Sequence, residues 1–262
     1  MNKNFVTDAI NLKSYNLSES DKIIVMYSKE KGLIKGVAKG CKKLKSTLGA
    51  GMDLLSANQI MLYKGKSLDK ICEAKSLNTF KNSRQDISKL LYSMYISEIV
   101  NHFGIENDPG SKEIYDLLYK ALEKISNSKD KEEVLISVIK FQLKFMQLVG
   151  FGVELDTCLC CREQILDENM YFSSKMGGVI CEECNRHLGI KTKMHPKIRD
   201  FLLAMLQLDF NYESDYDRKA TEKVCTVCCE LLTEYVQTHC HKQFKTTGIL
   251  QETELNLAGL SC

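Results

Sequence analysis

Cys158-Leu-Cys-Cys161 and Cys181-Glu-Glu-Cys184 are two Cys-x2-Cys knuckles separated by nineteen residues. Two such pairs at that interval let four thiolates converge on one tetrahedral ion, and the spacing predicts one structural Zn2+ held by Cys158, Cys161, Cys181 and Cys184. Between the knuckles, Tyr171-Phe172 and Val179-Ile180 flank Gly177-Gly178, which reads as a small β-ribbon around a glycine turn. Four cysteine ligands close the coordination sphere, so such an ion supports folding and offers no position to water or substrate. A redox dithiol and unligated thiols are the competing readings, but the former calls for a Cys-x-x-Cys beside a βαβ pattern, and none is visible. Cys160 reads as a spare thiol, and His187 could substitute as a ligand without being needed. A further group, Cys225, Cys228 and Cys229, falls in a helical stretch where Cys225, Cys228 and Leu232 share a face. This is the pattern of buried small apolar side chains, with a second metal site as the alternative.

Outward from the ribbon, the 262-residue chain is long enough for two or three units. No run reaches the 18 or so apolar residues of a membrane span, and Met1-Asn-Lys-Asn-Phe5 lacks the apolar core of a signal peptide. The expectation is a cytoplasmic protein, no membrane association, and reduced thiols despite twelve cysteines. Net charge is only +2, but it is unevenly placed: residues 1 to 80 hold 14 Lys and no Arg against 7 acidic residues. That balance of +7, against −5 for the remainder, marks the N-terminal part as the one facing a polyanion.

The same 80 residues read as five strands: Phe5 to Leu12, Lys22 to Tyr27, Leu33 to Ala38, Leu54 to Tyr63 and Leu68 to Leu77. Five short strands separated by turns suit an OB-type barrel, with a β-sandwich or SH3-like barrel as the alternatives. From residue 84 the apolar period becomes helical, through Ile87 to Phe103, Ile114 to Ile125 and the nearly all-apolar Val134 to Val149. After the knuckles, His195-Pro196 opens another helix, and a last one spans roughly Asp217 to Lys242. The fold expected is α+β and multidomain. It comprises an OB-fold domain (1–80), a helical domain in two parts (81–150 and 191–250) interrupted by a zinc ribbon (151–190), and a tail (251–262).

Lys35-Gly-Val-Ala-Lys39-Gly-Cys-Lys42-Lys43-Leu-Lys45 is the densest basic run. Lys35, Lys39, Lys42, Lys43 and Lys45, with Gly36 and Gly40 allowing close approach, suit phosphate contacts that do not read base sequence. The plain alternative is a solvated loop. Tyr27 and Tyr63 could stack on bases, though core packing is the stronger reading for each. Gly65-Lys66-Ser67 ends like a P-loop, but Ile60 stands where its first glycine is required, so that motif is rejected. No nucleophile elbow, zincin helix or dinucleotide fingerprint is present, and no enzymatic activity is expected. His239 and His241, near Lys242 and Lys245, read as a polar helix end that could also meet an acidic peptide.

These segments together resemble the RecO family of bacterial DNA repair and recombination mediators. The resemblance is carried by Phe5-Val-Thr-Asp-Ala-Ile10, by Leu33 through Ser46, by Gly150-Phe-Gly-Val-Glu-Leu-Asp-Thr-Cys158, by Gly177-Gly178 before Cys181, and by the terminal Tyr235, His239, Lys245 and Leu250. It implies an OB fold, a helical domain and a zinc-binding insertion. It also implies binding of single- and double-stranded DNA, annealing of complementary strands, and work with RecR to load RecA onto strands covered by single-stranded-DNA-binding protein. The acidic tail of that protein would need an apolar and basic pocket, for which Lys242 and Lys245 are candidate cations, and the setting would be the nucleoid. Two other classes compete. A zinc-containing ligase lacks its Lys-x-Asp-Gly motif here, and a zinc-containing adaptor would leave the basic loop merely solvated.

Overall fold

The computed structural model describes residues 4–165, 169–208 and 221–259. Its strands are β1 (Asn4–Asn16), β2 (Lys22–Ser28), β3 (Gly32–Ala38), β4 (Ala57–Tyr63), β5 (Asp69–Asn78), β6 (Met170–Ser173), β7 (Gly178–Cys181) and β8 (Lys193–Met194). Its α-helices are α1 (Ile87–Phe103), α2 (Ser111–Asn127), α3 (Lys131–Leu148), α4 (Glu182–Leu188), α5 (Pro196–Gln207), α6 (Thr221–Cys240) and α7 (Lys245–Gly259). Packing divides the chain into two compact units, Met1–Asn127 with Phe244–Cys262, and Ser128–Gln243. The change from strand to helix near residue 80 lies inside the first unit, and residues 251–259 of the expected tail belong to α7.

In the first unit, β1 to β5 close a barrel in the order β1-β2-β3-β5-β4. β1 spans enough residues to pair with β4 from Asn4 to Ile10 and with β2 from Ala9 to Asn16, and a register shift between Asn11 and Lys13 bends it from one partner to the other. Closure is completed by a short parallel pairing, Gly36↔Asp69 and Val37↔Lys70. A single closed sheet in this order is the five-stranded OB arrangement, and it decides against two stacked sheets. Ile24, Met26, Ile34, Ile60, Leu62 and Ile71 fill the interior. Gly36 is required where β3 meets β5, since a Cβ there would lie 2.8 Å from Ile71 Cγ1 and 3.1 Å from Leu62 Cδ2.

The expected fourth strand begins too early. The buried Asn11 side chain donates to the carbonyls of Gly51 (2.7 Å) and Asp53 (2.8 Å), and the backbone turns through Leu55 at φ +63 before β4 starts. Local apolar character alone made Leu54-Leu55 look like strand. α1 starts at an Asp86 cap whose carboxylate accepts the Lys89 N–H. α2 buries Ile114, Leu117, Leu118, Ala121, Leu122 and Ile125, the face its sequence period predicts. α7 packs with α1 in this unit, where Phe244 is buried against Tyr95 (5.8 Å between ring centroids) and His102 (5.6 Å).

In the second unit α3 is central and buried on nearly every side, Gln142 included, whose amide donates to Thr233 Oγ1 on α6 at 3.2 Å. α5 and α6 pack against it, and α6 brings Cys225, Cys228, Cys229, Leu232, Tyr235 and Val236 inward. The three cysteines are therefore core residues. The residues 217–220 with which the last helix was expected to begin lie outside those described. The ribbon is a three-stranded sheet in the order β7-β6-β8.

Candidate metal centre and nucleic-acid interface

The first knuckle is held beside β7 by backbone pairing. Glu154 N–H donates to the Gly177 carbonyl (3.0 Å), Val179 N–H to the Glu154 carbonyl (3.0 Å) and Leu159 N–H to the Val179 carbonyl (3.0 Å). Gly178 is forced by this approach, because a Cβ would collide with the Glu154 carbonyl oxygen. Gly177, at φ +87, closes the hairpin turn that was expected at Gly177-Gly178, while Gly178 itself begins β7. The Glu154 carboxylate accepts the N–H groups of Thr157 (3.0 Å) and Asp156 (2.9 Å) just ahead of Cys158. The Thr157 N–H is the main reason that its pKa lies below the ordinary carboxylate value. Arg162, at φ +65, turns the chain back so that its N–H reaches the Cys158 carbonyl at 2.9 Å.

The second knuckle joins β7 to α4. Cys181 caps the helix, its sulfur accepting the Cys184 N–H at 3.5 Å, and its own N–H donates to Cys158 Sγ at 3.4 Å. The sulfurs of Cys158, Cys161, Cys181 and Cys184 all lie within 4.8 Å of one another, with Cys161 and Cys181 at 3.9 Å. An ion 2.3 Å from each of four sulfurs holds them about 3.8 Å apart, so this cluster fits a tetrahedral structural metal ion. Burial opposes ionisation of Cys158, but the N–H groups of Cys181, Cys161 and Cys160 outweigh it and bring the thiol down to about 6. The Cys184 thiol is pushed up, first by its Cys181 neighbour. One thiolate thus makes the next harder to form, a conflict that a bound dication removes. Among the described residues no other group of three or more such side chains is close enough to share an ion, and Cys160 and His187 are exposed outside it.

On the barrel, Lys35 projects from β3, and Lys39, Lys42, Lys43 and Lys45 follow in the loop after it; all five are exposed. The loop is pinned at its start. Gly40, at φ +66, donates its N–H to Asp21 Oδ1 at 2.7 Å, and this bond, ahead of the Ser20 hydroxyl, lowers the Asp21 pKa. Lys42 N–H donates to the Ser20 carbonyl (3.1 Å) and its ammonium to the Ser18 carbonyl (3.0 Å). Lys39, Lys43 and Lys45 line a groove of about 440 Å³ together with Ser46, Thr47 and Lys70; Lys35 and Lys42 do not. Lys70 escaped the sequence reading because it is remote in the chain. The signal that could have found it is the β3–β5 closure of an OB barrel, which pairs Val37 with Lys70. Tyr27 is buried and donates to Asp108 Oδ2 (3.0 Å), a core role, whereas Tyr63 is 40% exposed and lies directly across from Lys70.

Lys242 is exposed in the second unit, and Lys245 is exposed at the start of α7 in the first. His239 lies in the last turn of α6 and His241 is exposed just past it, but His239 is half-buried. Its ring lies 4.8 Å from that of Phe151 and 4.5 Å from that of Tyr235, and burial lowers its pKa. No helix among the described residues is long and apolar enough to cross a membrane.

Comparison with known proteins follows the same division of strands and helices. Residues 1–80 match the family model described as Recombination protein O N terminal, and residues 84–248 match Recombination protein O C terminal. Among curated relatives, the DNA repair protein RecO of Caldanaerobacter subterraneus subsp. tengcongensis is 30% identical over 242 residues, covering 92% of this chain and 94% of its own. That of Desulforamulus reducens is 28% identical over 250 residues (95% and 94%), and that of Acetivibrio thermocellus 31% over 178 residues (68% and 69%). With one match on the barrel and the other on the helices and their four-cysteine ribbon, the chain belongs to the RecO family.

Proposed function

We propose that this chain is a non-enzymatic mediator of DNA repair and recombination that binds single- and double-stranded DNA through its barrel. It anneals complementary strands and, with RecR, helps load RecA onto strands covered by single-stranded-DNA-binding protein, acting in the cytoplasm on the nucleoid. Membership of the RecO family supports the repair role. The observation that carries the DNA reading is the groove where Lys39, Lys43, Lys45 and Lys70 converge. Two strands approach slowly because their phosphates repel, and a surface that neutralises both lowers that barrier without reading sequence. In this reading the four-cysteine cluster holds one Zn2+ that stabilises the ribbon and takes no part in chemistry.

The test is the salt dependence of single-strand binding and of annealing. Each phosphate-neutralising lysine removed should flatten the log-log slope by roughly 0.7, so changing Lys39, Lys43, Lys45 and Lys70 together to Ala should flatten it severalfold more than any single change. A variant that keeps wild-type affinity, slope and annealing would return the chain to the adaptor reading. For the partner tail, Lys242 and Lys245 each supply an exposed cation. Changing both to Glu should weaken binding of an acidic tail peptide and leave naked-DNA binding nearly intact. The reverse outcome would exchange the two surfaces.

A further inference from the structure

We propose that Leu44 is an apolar wedge that inserts among the bases of a bound single strand, an assignment that rests on the DNA-binding reading of the lysines beside it. Leu44 is 107% exposed, whereas Val6 and Ile105, the next most exposed large apolar residues described, reach 58%. A leucine in full solvent is ordinarily mobile enough to fold back onto apolar surface. Here the backbone that carries it is held. Lys43 N–H closes one turn onto the Gly40 carbonyl (3.1 Å), and Ser46 N–H closes the next onto the Lys43 carbonyl (2.9 Å). Both roots of the loop, Cys41 and Leu48, are sunk in the barrel core, and the Asp21 carboxylate holds Gly40. Leu44 is thus presented at the tip of an ordered loop.

Its surroundings select the occupant. Lys42, Lys43 and Lys45 are exposed on either side of it, and Lys43 and Lys45 also line the groove. A phosphate drawn to either of those two lysines brings its bases within reach of the leucine, and apolar side chains placed in this way enter base steps and unstack them. An apolar protein partner would have to desolvate the same lysines to reach one methyl-rich tip, which disfavours it.

The experiment uses the full chain and an oligonucleotide carrying 2-aminopurine, whose fluorescence rises when it is unstacked. Wild type should raise the signal. Leu44→Ser should abolish the rise and lower single-strand affinity about tenfold, with the salt slope unchanged, and Leu44→Met should restore both. If Leu44→Ser matches wild type in signal and affinity while the four-lysine variant is impaired, the wedge is overturned and the DNA surface stands. If the four-lysine variant also binds normally, the DNA surface falls and the wedge with it. Loss of binding to anionic phospholipid vesicles, with DNA binding intact, would overturn the assignment in favour of a membrane.

Discussion

Cys181 does two things with one sulfur: it caps α4 and it completes the four-sulfur cluster. Serine is itself a good cap, so Cys181→Ser keeps an acceptor for the Cys184 N–H and removes a soft metal ligand. We expect metal content by elemental analysis to fall from about one per chain towards zero, with a lowered melting temperature that reports the metal and not the cap. A variant with full metal content and unchanged melting would overturn the site. Cys225→Ser provides the contrast. Burial pushes the Cys225 thiol up to about 12, and its place in the α6 face means serine should cost about 1–3 kcal/mol without altering metal content. The difference between these cysteines was legible in the sequence, since ligand spacing and helical spacing are different periods. The packing of His239 on Phe151 was not, because Phe151 lies far from it in sequence.

At the level of elements, the start of α7 depends on one carboxylate. Glu98, on α1, accepts the Thr246 hydroxyl (2.6 Å), the Thr246 N–H (3.0 Å) and the Lys245 N–H (3.1 Å). Burial raises the Glu98 pKa, but the hydrogen bonds from Thr246 and Lys245 outweigh it, so the folded value lies below the ordinary 4.5. A lowered folded pKa stabilises above the unfolded value, and that stability is lost as pH falls through the folded one. Glu98→Gln should therefore cost about 1.5 kcal/mol at neutral pH and flatten the fall in stability below pH 4.5. It should also speed hydrogen exchange in the first turn of α7; unchanged exchange would show that the carboxylate does not hold the helix. Element types were largely readable: all five barrel strands and the α2 and α3 faces follow from their periods. Partnership between remote elements was not, because nothing local to β5 says that it lies beside β3, or local to α7 that it meets α1.

For the molecule as a whole, the first unit is discontinuous: the chain leaves it after Asn127 and returns at Phe244. Ending the chain after Gln243 removes Phe244 from Tyr95 and His102, and with it the Glu98 cap. We expect such a chain to bind a hydrophobic dye and melt earlier. It should keep its salt-sensitive DNA binding, because the groove lysines all precede residue 71. Loss of DNA binding on truncation would show that the barrel needs the returning helix.

That discontinuity also sets an order of events on the ribosome. The barrel and its lysines are translated first, but the covering of α1 must wait until residues 128–243 have been made. At 5–20 residues per second this wait is on the order of ten seconds. During it the nascent chain carries a finished barrel with its exposed lysines and an unfinished apolar flank, so that flank is where a chaperone would find it.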